Sequence, residues 1–365
     1  MEYIGGLGPT GGSLAVVVGE APLAHTTQFL PINEHGEIAG KNNLSAQLKQ
    51  VFDNVSLALK MGGSDLEHAV KLNICITSAE LMPKVRQYIS NRFKVGKRPA
   101  VAFVVGDLVP STALIAVDAV GISVLSAAPP HQSNVAVLQG PGVVYVSGQA
   151  ANGEIGSAAR TTLKQLDSTL KYLGLKKKDI IQVKSFIAPA TDIERVKKEM
   201  SDFFVGLSLP PTVYVEWTSK KPLIEIELIA ASPASSDRPV KQLDFITPAG
   251  MTASPVYSKV TRINYGRKIY FSSLYGEKSG DAKSEVKDIF SAMAKLLTVV
   301  GSDFKHLAKA TYYVVTDSAG NQLNEIRPKY YNPDSSPAAS KAMVKGVGLN
   351  NSGICIDMIG VVEEK

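Results

Sequence analysis

The sequence predicts an α+β protein made of three tandem copies of one ββαβαββ unit. A motif that recurs at a constant offset, strands and helices that recur in one order, and a length of 365 residues, too long for one average domain, carry that prediction.

The motif follows the first amphipathic helix of each copy. Gly63-Ser64-Asp65-Leu66-Glu67-His68-Ala69-Val70-Lys71 is matched by Gly301-Ser302-Asp303-Phe304-Lys305-His306-Leu307-Ala308-Lys309. Between them, Gly174 to Lys184 carries a glycine, an acidic residue and a lysine in the same order, with one residue inserted in the turn.

Each copy opens with two β-rich runs: 13–19 and 25–32, 133–139 and 142–149, 256–264 and 267–275. A helix follows, with apolar residues at 3.6 spacing: Leu44, Leu48, Val51, Phe52 and Val55 in the first copy, Leu163, Leu166, Leu170 and Leu173 in the second, and Val286, Ile289, Phe290, Met293 and Leu297 in the third. A third strand comes next, near 70–77, 182–188 and 308–316. A second helix then carries Val85 and Ile89, Val196 and Met200, or Leu323 and Ile326. Two strands close each unit, near 101–106 and 113–121, 212–217 and 223–231, 340–347 and 353–362.

Helices on one face of a sheet leave its other face to be buried, and the equivalent sheets of the other copies are the simplest partners. Short Pro- and Ser-rich stretches at 126–133 and 232–238 read as linkers, which divides the chain into 1–125, 126–235 and 236–365.

Composition narrows the function classes. Apolar residues make up 45% and charged residues 20%, the balance of a folded globular chain rather than a disordered one. The first twenty residues lack a basic segment followed by a long apolar one, and no apolar run reaches membrane-spanning length, so the expectation is a cytoplasmic protein without a membrane span. Cys75 and Cys355 lie far apart in apolar strands, and no histidine pair has ligand spacing, so neither a disulfide nor a metal is expected. The net charge of +6 is spread along the chain, and the run Lys176-Lys177-Lys178 falls in a turn, where solvated lysines are ordinary; a nucleic-acid partner is not expected.

Tyr145-Val146-Ser147-Gly148-Gln149, the glycine-acidic turn leading to Val183-Lys184, and Leu223-Ile224-Glu225-Ile226-Glu227-Leu228-Ile229-Ala230 resemble the YjgF/RidA family, formerly called endoribonuclease L-PSP. The resemblance covers nearly the whole chain three times, best in the middle copy. It implies a chorismate-mutase-like fold, and a pseudo-trimer within one chain whose sheets line a central β-barrel with clefts between copies. The single chain is therefore expected as a monomer of 38.9 kDa. Active members hydrolyse enamines and imines to a keto acid and ammonia without metal or organic cofactor.

In that family an arginine within Pro-Ala-Arg-Ser grips the substrate carboxylate, a glutamate on the last strand assists the attacking water, and a tyrosine near the first strand helps. Carried over, the arginine falls at Ala100, Thr212 and Ala339 and is missing from every copy. The glutamate falls at Ala116, Glu225 and Cys355, so only the middle copy keeps it. Tyr257 stands for the tyrosine, and the serine of Ser-Gly-Gln is Ser147, with Thr26 and Ser272 in the other copies.

Substitute cations are Lys341, two residues from Ala339 and so on the same strand face, and Arg98, in the same relation to Ala100; the plainer reading of both is a solvated strand edge. Glu225 is equally readable as a strand-end carboxylate paired with Lys220 or Lys221. The candidate catalytic residues are thus Glu225 and Tyr257, and the candidate substrate-binding residues Ser147, Lys341, Thr212 and Arg98. Three readings stand: an imine or enamine hydrolase acting on a small carboxylate or carbonyl metabolite, a non-catalytic ligand-binding or scaffold protein, and, from the family's older name alone, a ribonuclease. Because the copies differ, their clefts must differ.

Overall fold

The computed structural model describes residues 1–126, 133–232, 241–277 and 280–364. The linker stretches read at 126–133 and 232–238 lie, apart from residues 126, 133 and 232, outside the described residues.

Two strands, β1 (Glu2–Ile4) and β2 (Ala15–Val18), open the chain. The first copy continues with β3 (Leu23–Thr26), α1 (Leu44–Met61), β4 (Ala69–Ile76), α2 (Met82–Arg92), β5 (Ala100–Val105) and β6 (Ile115–Ile122). The second is β7 (Val135–Leu138), β8 (Val143–Gln149), α3 (Ile155–Tyr172), β9 (Ile180–Ile187), α4 (Ile193–Phe203), β10 (Thr212–Glu216) and β11 (Ile224–Ala231). After β12 (Leu243–Ile246), the third is β13 (Val260–Ile263), β14 (Lys268–Phe271), α5 (Ala282–Val299), β15 (Leu307–Val314), α6 (Asp317–Ile326), β16 (Ala338–Met343) and β17 (Ile354–Val361).

The recurring motif recurs in the backbone. Gly63, Gly174 and Gly301 take φ of +69°, +71° and +69°, a left-handed conformation that suits glycine after a helix end. Asp65, Asp179 and Asp303 then each accept a backbone N–H in the short turn entering the third strand.

The strands are hydrogen-bonded in three separate sheets, ordered β5-β4-β6-β3-β7, β10-β9-β11-β8-β13-β12 and β1-β2-β14-β17-β15-β16. In all three, the first strand of one copy pairs with the second strand of another. Thus β7 lies on β3, β13 on β8, and β2, from the chain's beginning, on β14 near its end. The three copies are thereby laced in a ring, and every sheet holds strands of two copies.

Each sheet packs one face on its own two helices in a separate apolar core. The opposite faces meet in a shared core that includes Val16, Leu23, Val70, Tyr145, Ile181, Tyr270 and Ala308, from all three sheets. All eight residues of β9 are buried, as a strand covered on both faces requires.

At the middle of this core Lys71, Lys184 and Lys309 line a space of about 40 Å³ with Glu227 and Asp357. Lys71 donates to Asp357 of the third copy at 2.5 Å, and Lys309 of the third copy donates to Glu227 of the second at 2.7 Å. Burial opposes ionisation of Glu227, but Lys309 and Lys184 outweigh it and hold its carboxyl below the usual range.

Strand register corrects two equivalences read from sequence. Thr212 pairs with Val183, Ala339 with Ala310 and Val101 with Leu72, so Val101, not Ala100, is the first-copy counterpart of Ala339. Lys184 opposes Glu227 as Asn73 opposes Asp118 and Thr311 opposes Asp357; Gln182, not Lys184, is therefore the counterpart of Lys71 and Lys309. Gly174 to Gln182 spans the same eight positions as Gly63 to Lys71 and Gly301 to Lys309, so the middle copy carries no inserted residue in this turn. Lys184 still faces the centre, because residues two apart share a strand face.

Candidate functional site

The three places where a second strand of one copy meets the β5, β10 or β16 strand of another are built alike and filled differently. Ser147 Oγ donates to Ser258 O at 2.6 Å and accepts from Ala339 N at 2.7 Å. Ser272 Oγ donates to Ser13 O at 2.6 Å and accepts from Val101 N at 2.7 Å. In the remaining pair, Thr27 Oγ1 donates to Thr212 O at 2.8 Å and accepts from Thr212 N. Buried Ser147 therefore has both hydrogen-bonding roles spent on joining copies.

Beside Ser147, a cavity of about 230 Å³ opens between the second and third copies, lined by Gly148, Glu225, Tyr257, Tyr312, Arg327, Ala339, Ser340 and Lys341. Three residues picked out from sequence, Glu225, Tyr257 and Lys341, thus line one cavity. Gly148 makes room for the carboxylate, since a Cβ there would lie 2.0 Å from Glu225 Oε1.

Burial pushes the Glu225 carboxyl up to about 7; Glu227 adds to the rise, while the Ser340 hydroxyl, Lys309 and Lys341 partly offset it. Among the described residues Glu225 makes no ion pair with Lys220 or Lys221. Lys341 is half-buried, and its amine is lowered by burial and by the nearby Arg327, against a smaller opposing effect of Glu225. The Tyr257 hydroxyl accepts a hydrogen bond from Lys259 Nζ at 2.6 Å.

Sequence reasoning missed Arg327. It follows α6, lies 9% exposed, and stacks its guanidinium 5.4 Å from the centre of the Tyr312 ring. Its Nη2 donates to Asn324 Oδ1 at 3.2 Å, its buried Nε has no partner, and no carboxylate pairs with it among the described residues. One signal was visible: Arg327 is the only arginine after Arg267, in a stretch otherwise rich in lysine.

Thr212 lies elsewhere, in a second cavity of about 230 Å³ between the first and second copies, with Thr27, Gln28, Tyr214 and Glu216 among its lining. There Ala116 and Tyr214 hold the positions of Glu225 and Lys341, so the two charged groups are absent. The third meeting place is occupied by protein. Val105 N donates to Gly346 O at 2.8 Å, Tyr275 Oη donates to Val347 O at 2.7 Å, and the buried Cys355 thiol faces Ser273 Oγ at 3.7 Å. Arg98 lines neither cavity; its Nη2 donates to Ser90 O at 3.0 Å.

Among the described residues no group of three or more His, Cys, Asp or Glu side chains is placed to hold a metal ion, and no helix is long and apolar enough to cross a membrane.

The profile of the endoribonuclease L-PSP family matches residues 12–123 and 125–232, more than half of the chain. Among solved structures, a YjgF-family protein from Neisseria meningitidis is 20% identical, with 31% of this chain and 92% of that chain covered and a TM-score of 0.26. TdcF from E. coli with bound serine is 23% identical, with 25% and 81% covered and a TM-score of 0.24. An endoribonuclease-like protein from Thermotoga maritima is 20% identical, with 32% and 91% covered and a TM-score of 0.25. No curated protein sequence matches the chain.

Proposed function

This chain belongs to the endoribonuclease L-PSP family, and from that premise we propose that the cleft between its second and third copies binds a small carboxylate metabolite and hydrolyses its imine or enamine form. The observation that carries the reading is Arg327: a nearly buried guanidinium without a carboxylate partner, on the wall of the cavity that also holds Glu225 and Lys341. A buried cation without a counter-ion is costly, and a ligand carboxylate relieves that cost with charge-assisted hydrogen bonds.

In this reading Arg327 takes the task of the missing strand arginine from a different element of the fold. Glu225, with a carboxyl poised near neutrality, accepts a proton from the attacking water and returns one to the departing nitrogen. Tyr257 orients the water. The cleft beside Thr212, without a carboxylate at the Glu225 position, is a binding site at most. A monomeric assembly in the cytoplasm belongs to the same reading.

The test is an assay in which an amino-acid dehydratase generates imines in place while ammonia release is followed. Wild-type acceleration that disappears in Glu225→Ala, with the fold intact, is the expected result. Absence of acceleration over a panel of imines, together with retained binding of keto acids, would replace hydrolysis by ligand binding without turnover, a reading favoured by the loss of the strand arginine in every copy.

A further inference from the structure

Lys341 sits on β16, the edge strand of the third sheet, in register beside Tyr312 of β15. The neighbouring side chain fixes this part of the strand: Ser340 Oγ donates to Glu227 Oε2 at 2.7 Å. Nearby lysines are committed. Lys345 pairs with Asp107 at 2.6 Å and Glu216 at 3.0 Å, Lys259 donates to Tyr257, and Lys309 donates to Glu227. The Lys341 amine has no hydrogen bond or ion pair with any described residue, although it shares a cavity with Glu225. A solvated edge lysine would point away from the protein, whereas this one is half-buried on the cavity wall, with a guanidinium close by.

Resting on the function proposed above, we propose that Lys341 is the covalent nucleophile of the cleft, attacking the imine or carbonyl carbon of the bound carboxylate to form a Schiff base. With an imine, the amine lone pair forms the new C–N bond and the C=N π pair moves to the substrate nitrogen. That nitrogen takes up, by way of Glu225, the two protons that the lysine amine gives up and leaves as ammonia, giving a C=N bond to Lys341. Water then adds to the same carbon, the bond to Lys341 breaks, and the keto acid departs as the lysine nitrogen takes up the two protons of the water. Glu225 gives and takes the protons, so no oxidant or reductant is needed.

Two further features support the step. Nucleophilic attack requires a neutral amine, and burial together with Arg327 favours that form of Lys341. The same Arg327 guanidinium, by holding the carboxylate, brings the carbon within reach of the amine.

The experiment incubates the full chain with pyruvate and borohydride near neutral pH and maps the reduced adduct by peptide mass spectrometry. Labelling concentrated on the peptide containing Lys341 is expected. It should be absent in Lys341→Arg and lowered about tenfold or more in Arg327→Gln, since a charge-assisted contact is lost. Labelling spread evenly over exposed lysines such as Lys164 and Lys283, or none on Lys341, would overturn the proposal. If ammonia release then persisted in wild type and in Lys341→Met, hydrolysis by water alone would stand and only the covalent step would fall; loss of both imine hydrolysis and keto-acid binding in wild type would remove the functional reading as well.

Discussion

The Glu225 carboxylate occupies the space that a β-carbon on Gly148 would need: such a Cβ would lie 2.0 Å from Glu225 Oε1 and 2.4 Å from its Cδ. The glycine of the Ser-Gly-Gln motif is thus explained by space for the carboxylate. Gly148 is not among the glycines of positive φ.

Gly148→Ala is therefore expected to displace the Glu225 side chain while the sheet persists. Overpacking of this kind costs about 1–3 kcal/mol. Thermal unfolding should show that modest loss, and imine hydrolysis should fall as far as it does in Glu225→Ala.

Arg327→Gln removes the guanidinium but keeps a polar side chain of similar reach. Loss of a hydrogen bond to a charged group costs about 1.5–3 kcal/mol, so titration with a keto acid should show affinity down by roughly tenfold to a hundredfold. Affinity for an uncharged analogue should change little.

Glu225 makes stability depend on pH in an unusual direction for a carboxylate. Its folded pKa of about 7 lies above the ordinary value, so between them the folded chain holds a proton that the unfolded chain has released. This contribution is present below the unfolded pKa and is lost as pH rises through about 7. Glu225→Gln, which cannot ionise, should gain melting temperature relative to wild type from mildly acidic to slightly alkaline pH, and the difference should level off beyond.

Glu227 answers to Lys309 and Lys184 in the buried centre. Glu227→Ala leaves both lysines buried without that partner, and breaking a buried ion pair costs about 3–5 kcal/mol. Denaturant unfolding should register this, whereas removal of the exposed pair Lys49–Asp53 should leave it little changed.

Removal of residues 1–18 should uncover β14. Ala15 and Val17 belong to the helix-packed core of the third sheet, and Val16 and Val18 to the shared centre. An exposed strand edge with apolar faces invites association, so the truncated chain should form multimers or aggregate in light scattering, where the intact chain should run at 38.9 kDa.

The sequence by itself determined the three copies, the order of their elements, the buried faces of the helices and the absence of the strand arginine, because each of these is written in local spacing. It also brought forward Glu225, Tyr257 and Lys341, which one cavity unites. Only the tertiary structure decided which copy each opening strand joins, since the partner of a strand is set by packing between distant segments rather than by its own alternation. Packing likewise filled the cleft at Cys355 with Val347 and Tyr275, and tied up Ser147 between Ser258 and Ala339. Arg327 came last to light for the same reason: it replaces a strand residue from the end of a helix, and no spacing along the chain relates the two positions. The folded path of β15, α6 and β16 alone brings that guanidinium to the cavity that Glu225 lines.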